Sequence, residues 1–381
     1  MLPGIDAQGR CPLHHRPIPQ EPVDHDGGQN CHANIKFQDG VEWLARFRLQ
    51  RNSSPPLEVR DYILRSEAAT MFYLQKQTRL PTPKIFDWAC EADPENRVRA
   101  GYILMEKIDA TPLDWQAATD EQRETIMQQL ADIFIEIEKH PFASMGSLAI
   151  SNGSIVDIQG LALPSVFRPG TGPLGPFTSS LEWSRALIES YLGMMADGEI
   201  DANLRTEVYL YHRFRREAVG RLWEDALPGH QFFLKHPDDK GDHILINDRY
   251  QIVALIDWEW THTVSAAEAF SSPCMMWPVG NFYEGLNDLA PEERRLAAIL
   301  REKGREDLAS HVVNGRKFQR FFFAIGPESS FLTPKEVADL FVGLQLALDW
   351  ENVGREHWKQ RALETWDKDE LLLKITDLGG E

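Results

Sequence analysis

Residues 34–49 alternate in character. Asn34-Ile35-Lys36-Phe37 leads to an Asp39-Gly40 turn, and beyond it Val41, Trp43, Ala45, Phe47 and Leu49 share one strand face while Leu44, Arg46 and Arg48 share the other. That is the period of a β-hairpin on a tight turn. After the loop 51–57 the period changes. Ile63, Glu67, Met71 and Leu74 recur at helical spacing within 58–78, which predicts a helix with one inward stripe. Glu67 is the exception on that stripe. A carboxylate on an inward face needs a cation, and Arg46 or Arg48 is the nearest candidate; the alternative is a solvated position at the stripe's edge. Pro81-Thr82-Pro83 ends the helix, and strands are predicted at 85–88 and 101–108. Asp109-Ala110-Thr111-Pro112 reads as a connector.

Downstream the pattern is mainly helical. Ile126, Leu130, Ile133, Phe134 and Ile137 predict an amphipathic helix over 120–139. Residues 142–180 are rich in Gly and Pro and read as irregular. Helices are expected at 181–197 and 202–226, a short strand at 232–234, and a hairpin of 244–246 with 251–256 about Asn247-Asp248. Residues 291–375 return to helical spacing. The expected organisation is an irregular leader at 1–26, a small strand-rich lobe at 27–108, and a larger helical lobe at 109–381. The fold class is therefore α+β.

Composition narrows the function classes. The chain has 381 residues and a formal net charge of -18, which argues against nucleic acid or an anionic membrane as partner. Cys11, Cys31, Cys90 and Cys274 are too scattered for a disulfide framework. The first residues lack the apolar core of a secretory signal, and no apolar run reaches the roughly 20 residues of a membrane helix. A cytoplasmic setting is the expectation. Cys11, His14, His15, His25, Cys31 and His32 could hold zinc, although their spacing matches no standard finger.

The chemistry concentrates between His236 and Trp260, HPDDKGDHILINDRYQIVALIDWEW. Loop and hairpin bring Asp238, Asp239, Asp242 and Asp257 close in sequence. Like charges gathered this way repel, so a cation, or a substrate carried by one, is the expected counterpart.

Several segments, in order, carry a resemblance. Gly27-Gly28-Gln29-Asn30, Trp43-Leu44-Ala45-Arg46-Phe47, Ser66-Glu67-Ala68-Ala69, Pro81-Thr82-Pro83-Lys84-Ile85, Tyr102 through Ile108, His236-Pro237-Asp238 and Ile256-Asp257-Trp258-Glu259-Trp260 resemble successive motifs of the aminoglycoside-phosphotransferase and choline-kinase-like family, in its diverged fungal form. Gly146-Ser147-Leu148 and Gly175-Pro176-Phe177 resemble pieces of that family's insert. The resemblance implies a two-lobed protein-kinase-like fold with a small β-rich N-lobe for nucleotide and a larger helical C-lobe. It implies ATP-dependent transfer of the γ-phosphoryl group to a small molecule's hydroxyl or amine, with Mg²⁺ or Mn²⁺.

Residue by residue, it makes Asp238 the catalytic base and gives phosphate contacts to Gly27, Gly28, Asn30 and Arg46, with Glu67 pairing Arg46. Met105, Glu106 and Ile108 fall at the adenine edge, and Asp257 becomes a metal ligand. The second metal ligand of the family, an Asn, falls on His243, with Asp242 beside it as the substitute. Imidazole suits transition metals better than magnesium. Arg46 stands where Lys is usual, and Pro237 and Asp239 flank Asp238 in place of small and apolar residues. Those departures favour as alternative a degenerate, nucleotide-binding or scaffolding protein; a third reading keeps the carboxylates for other chemistry, such as nucleotidyl transfer. For the substrate, the acids Glu268, Glu284, Asp288, Asp349 and Glu351 and the aromatics Trp277, Phe282, Tyr283 and Trp350 suit a cationic or amphiphilic molecule.

Overall fold

The computed structural model describes residues 25–27, 30–52, 54–151, 154–167, 171–199, 204–224, 231–323, 325–326, 332–351 and 354–378. Residues 1–24 of the leader, Gly28 and Gln29 lie outside them, as do Cys11, His14 and His15 of the Cys/His group; His25 and Asp26, read as irregular leader, are instead part of a strand that pairs with 30–32.

The alternating segment forms the hairpin its pattern predicts. Strands β1 (His25–Gly27), β2 (Asn30–Lys36) and β3 (Glu42–Arg48) are followed by α1 (Leu57–Gln77), β4 (Ile85–Ala89) and β5 (Tyr102–Glu106). The five strands make one antiparallel sheet in the order β1-β2-β3-β5-β4. Gly40 closes the β2–β3 turn at φ +85°, a conformation that suits glycine. Residues directly opposite in an antiparallel pair share a face. His32 and Ile103 oppose Arg46, and Asn30 opposes Arg48, so these five stand on one face of the sheet. That face meets α1, where Ile63, Glu67, Met71 and Leu74 are all buried, as their stripe predicts.

Next come β6 (Thr111–Pro112), α2 (Asp120–Glu138), β7 (Ser147–Ser151), β8 (Ser154–Gln159), α3 (Ser180–Ala196), α4 (Arg205–Leu222), β9 (Phe232–Lys235), β10 (Ile244–Ile246), β11 (Ile252–Leu255) and β12 (His262–Ser265). The expected hairpin is present as β10–β11. Its Asn247 turn is held by the side-chain oxygen, which accepts from the amides of Arg249 and Gln251, each at 3.0 Å. The connector at 109–112 is more ordered than a linker, because β6 adds to β10 as a third strand.

Two expectations change. Residues 142–180 are not irregular throughout, since β7 and β8 form an antiparallel hairpin. The Asn-Gly dipeptide at 152–153 between alternating residues is a hairpin signal; it was masked by the Gly and Pro density around it. In α2, Ile126, Leu130 and Phe134 are buried, but Ile133 and Ile137 are only half-buried while Met127 and Ala131 turn inward.

The chain divides into two compact units. One contains the described residues up to Pro141 with Gly146–Pro176 and Leu234–Thr263; the other contains Phe142–Met145, Phe177–Phe233 and the chain from Val264 onward. The first unit is thus larger than the strand-rich lobe read from the sequence, and it takes in the acid-rich loop. The second is helical, with α3 and α4 followed by α5 (Ala266–Ala269), α6 (Val279–Tyr283), α7 (Pro291–Glu302), α8 (Glu306–Val313), α9 (Arg316–Phe322), α10 (Pro334–Ala347), α11 (Trp358–Thr365) and α12 (Glu370–Leu378). Its core is aromatic, with Tyr209, Tyr211, Phe214, Phe321, Phe341 and Trp358 buried together. Among the described residues, no helix is long and apolar enough to cross a membrane.

Gly146 shows how tightly the β7–β8 hairpin is packed. A Cβ added there would lie 2.0 Å from the Gln159 carbonyl oxygen. Gly146→Ala should therefore destabilise the fold by about 2 kcal/mol or more, read as a lowered urea midpoint, whereas Gly220→Ala, with open space around its Cβ, should not.

Candidate active site

Asp238, Asp242, His243 and Asp257 all fall in the first unit. Arg46 projects from β3 and is buried, with an ion pair to Glu67 of α1. The helix stripe thus receives its cation from Arg46 rather than Arg48. Arg46 also approaches Asp257, with Nη1 to Oδ1 at 3.5 Å. Burial pushes the Glu67 carboxyl up to about 7, against the pull of the Arg46 guanidinium, and the like charges of Glu259 and Asp257 push the same way. Burial disfavours the Arg46 cation, but Glu67, Glu259 and Asp257 outweigh it and raise the guanidinium further above its ordinary value.

Arg48, two residues on and on the same strand face, pairs with a different acid. Its guanidinium donates to Glu259, and the Asn30 side-chain amide reaches the other Glu259 oxygen at 3.5 Å. Glu259 is only 5% exposed. Its pairing was missed in the sequence, although the alternation on β3 had already placed both arginines on one face. A cavity of about 10 Å³ lies among Asn30, Arg46, Arg48, Arg60, Glu67 and Glu259. That is room for about one water molecule, so any larger ligand must engage the exposed side of this cluster. A roomier cleft of about 350 Å³ lies between residues 79–81, α2 and Ile252, and contains none of the expected site residues.

The acid-rich loop is ordered by its histidines. The Asp238 amide donates to His236 Nδ1 at 3.2 Å, which leaves the proton on Nε2, and Nε2 donates to the Ile256 carbonyl at 2.9 Å. Burial lowers the His236 pKa, so the ring is neutral and serves as a two-ended brace. Asp238 is 39% exposed and paired with Lys240 at 3.0 Å. Lys240 also lies 3.9 Å from Asp242, and Lys235 lies 3.4 Å from Asp239. The surplus carboxylates are thus interleaved with lysines, which answers part of the repulsion expected from sequence.

The metal candidates differ in setting. Asp257 is 55% exposed and Asp242 65% exposed. Both offer hard carboxylate oxygen, which suits Mg²⁺. His243 is buried, with its ring stacked on His236 at 4.1 Å and 22°, and its Nδ1 is enclosed without a hydrogen-bond partner. Burial, joined by the nearby cations of Lys235 and Lys240, lowers its pKa to about 2, so the ring stays neutral. Among the described residues, no three His, Cys, Asp or Glu side chains converge as a ready-made metal cluster, Cys31 and His32 included. The carboxylates fit a hard cation, with water completing its shell, better than the packed His243 ring does.

The backbone at Asp257 and Trp260 is left-handed, at φ +61° and +64°. Asp tolerates this region; a bulky Trp does so at a cost of order 1 kcal/mol or more. Such conformations persist where the surroundings over-determine them. Trp260 packs against Val59, Ile63 and Phe167, and Trp258 Nε1 is shared between Thr82 Oγ1 at 3.1 Å and the Leu255 carbonyl at 3.0 Å.

The nucleotide candidates are partly within view. Gly27 pairs with Asn30 at the end of β1–β2, and Gly28 lies outside the described residues. Met105 is buried, Ile108 is half-buried, and the Glu106 amide donates to the Lys84 carbonyl at 2.7 Å. Of the substrate candidates in the second unit, Trp277 and Phe282 are core residues, stacked at 5.1 Å with Arg316 beside both rings, and Glu268 is buried. Glu284, Asp288, Asp349 and Glu351 are exposed.

No protein-family model matches the chain. Subtelomeric hrmA-associated cluster proteins from two strains of Aspergillus fumigatus are each 32% identical over 125 residues, 32% of this chain and 23% of theirs. The match thus spans about a quarter of those relatives. Among solved structures, the chain is similar to a Plasmodium vivax ethanolamine kinase (12% identity, 93% of this chain and 84% of that one, TM-score 0.47). It is also similar to a putative aminoglycoside phosphotransferase from Ralstonia eutropha (13% identity, 96% and 94%, TM-score 0.47). The structural neighbours are of the aminoglycoside-phosphotransferase and ethanolamine-kinase kind. A TM-score below 0.5 does not by itself fix a fold, and the α+β architecture stands on the strand order and helices described above.

The raised Glu67 pKa has a consequence for stability. Between the ordinary carboxylate value near 4.5 and about 7, the folded state binds more protons than the unfolded one. This contribution is therefore full below about 4.5 and is lost as pH rises toward 7. Urea midpoints from pH 4.5 to 7.5 should fall more steeply for the wild type than for Glu67→Gln; parallel profiles would mean that Glu67 stays ionised throughout.

Proposed function

We propose that this protein is an ATP-dependent phosphotransferase that moves the γ-phosphoryl group of ATP to a hydroxyl or amine of a small molecule. The observation that carries this reading is the buried Arg46 cation between Glu67 and Asp257. A guanidinium oriented by one carboxylate and within reach of a second, exposed one suits a polyphosphate accompanied by a metal.

In this reading residues 27–108 bind the nucleotide, with Gly27, Gly28 and Asn30 at the phosphates and the backbone of Met105, Glu106 and Ile108 at the adenine edge. Arg46 grips the phosphates, and Glu67 fixes its fork. The substrate oxygen or nitrogen attacks the γ-phosphorus in line, the bond to the β-phosphate oxygen breaks, and ADP leaves. Asp238 receives the proton of the attacking group. Its carboxylate is steadied by Lys240 and its backbone by His236. Asp257, with Asp242 and water, would hold Mg²⁺ or Mn²⁺. When bound, the ion would neutralise charge on the phosphate oxygens. His243 enters this scheme as the stacking partner that seats His236 rather than as a ligand. A cytoplasmic setting and a cationic or amphiphilic small molecule belong to the same proposal.

The packed His243 ring favours a second reading, a nucleotide-binding protein without transfer activity, because it stands where the resembled family has a metal-binding Asn. Thermal-shift titration separates the two when combined with turnover. ATP with Mg²⁺ or Mn²⁺ should raise the melting temperature of the wild type, and Asp257→Ala should lose the metal-dependent part. No shift with any nucleotide or metal would reject both readings. In ATP turnover against a hydroxyl and amine library, Asp238→Asn should lower kcat by roughly 10²–10⁴-fold and leave nucleotide binding intact. Stabilisation without turnover in the wild type would select the second reading.

A further inference from the structure

The segment that presents Asp257 is a strained turn, and the structure shows what keeps it in place. Asp257 and Trp260 are both left-handed, so the two residues between them must be held from outside. Trp258 is held by Thr82 and by the Leu255 carbonyl. Glu259 is held by two side chains more than 200 residues away in sequence, Arg48 and Asn30, one at each carboxylate oxygen. Beyond the turn, Thr263 and Gly146 exchange backbone and hydroxyl hydrogen bonds, the backbone one at 2.8 Å, which fixes the exit.

We propose that Glu259 is a positioning residue, not a metal donor: through Arg48 and Asn30 it bolts the turn 257–260 to strands β2 and β3 and so sets the Asp257 carboxylate opposite Arg46. This rests on the phosphotransferase reading above. Three observations favour it. Glu259 is only 5% exposed and both its oxygens face protein donors, whereas Asp257 is more than half exposed and has one cation at 3.5 Å. Arg46 and Arg48 stand two residues apart on the same face of β3, so the strand that would grip phosphate is also the strand that holds the turn. Finally, Arg48 needs a counter-charge because its side chain is buried, and Glu259 supplies it. Disturbing Glu259 therefore displaces Asp257 without touching a ligand directly.

The positioning role predicts that Arg48 and Glu259 act as one unit. ATP affinity is measured by calorimetry on the full chain, with and without Mg²⁺, for wild type, Glu259→Gln, Arg48→Met, the double variant and Arg48→Lys. Hydrogen exchange of the peptide spanning 253–262 is followed in parallel. Glu259→Gln and Arg48→Met should each lose about tenfold of the Mg²⁺-dependent gain in affinity, and the double variant should lose no more than either. Arg48→Lys, which keeps the charge, should retain most of the gain. The turn amides should exchange faster in both single variants. Loss of the gain in Glu259→Gln with full retention in Arg48→Met would make Glu259 a direct donor and overturn the proposal, as would unchanged exchange at the turn in Glu259→Gln. If the wild type binds no ATP, the phosphotransferase reading fails by itself, and the exchange measurement alone decides whether Glu259 holds the turn.

Discussion

A buried guanidinium cannot be left without an acceptor, and this requirement organises the first unit around Arg46. Taking a charge out of water costs several kcal/mol per ion, and only close, hydrogen-bonded opposite charge offsets it. Arg46 meets the requirement with Glu67, so α1 must present its one inward carboxylate at the height of β3. That fixes the rotation of α1 on the sheet. The alternation of β3 then places Arg48 on the same face, and its burial imposes the same requirement a second time. Glu259 meets it, which ties the turn after β11 to the sheet. Two ion pairs on one strand thus connect β3, α1 and the Asp257 turn, and the Asn30 amide joins β2 to them at Glu259.

The same electrostatics explains why a chain of net charge -18 can gather so many carboxylates in one region. The buried acids are matched to arginines, whose broad guanidinium is more weakly hydrated than an ammonium and is the less costly cation to bury. The acids of the 236–242 loop are matched to lysines: the largely exposed Lys240 keeps its head in water beside Asp238 and Asp242, while the half-buried Lys235 pairs with Asp239. His236 and His243 stay neutral because burial outweighs the nearby carboxylates at His236 and is joined by cations at His243. A charged ring at either place would add cost where the stack now packs closely. Neutral rings can brace the loop through directional hydrogen bonds and face-to-face contact.

Much of this was legible from local pattern. The β2–β3 hairpin, the α1 stripe, the β10–β11 hairpin and the candidacy of a β3 arginine as partner of Glu67 follow from period, turn residues and the cost of an unpaired inward carboxylate. The β7–β8 hairpin was obscured because its Asn-Gly signal at 152–153 sits in a stretch whose glycines and prolines suggest irregular chain. Ile133 and Ile137 were assigned to the core because an ideal helical stripe says nothing of where a neighbouring element stops covering it. The role of His243 was out of reach for a related reason. A histidine in an acid-rich loop reads as a ligand until its ring is found stacked on another.

The sequence by itself determined the main hairpins, the long helices and which carboxylates gather between Asp238 and Asp257, because these depend on spacing over a few residues. It also narrowed Glu67 to two settings, paired with a β3 arginine or solvated at the stripe's edge. Which arginine it received, and that the other one would hold Glu259 from a distance of 211 residues along the chain, only the tertiary structure decided. Those pairings depend on strand register and on the angle at which α1 and the 257–260 turn meet the sheet. Both are set by the packing of many side chains at once, and no local pattern records them.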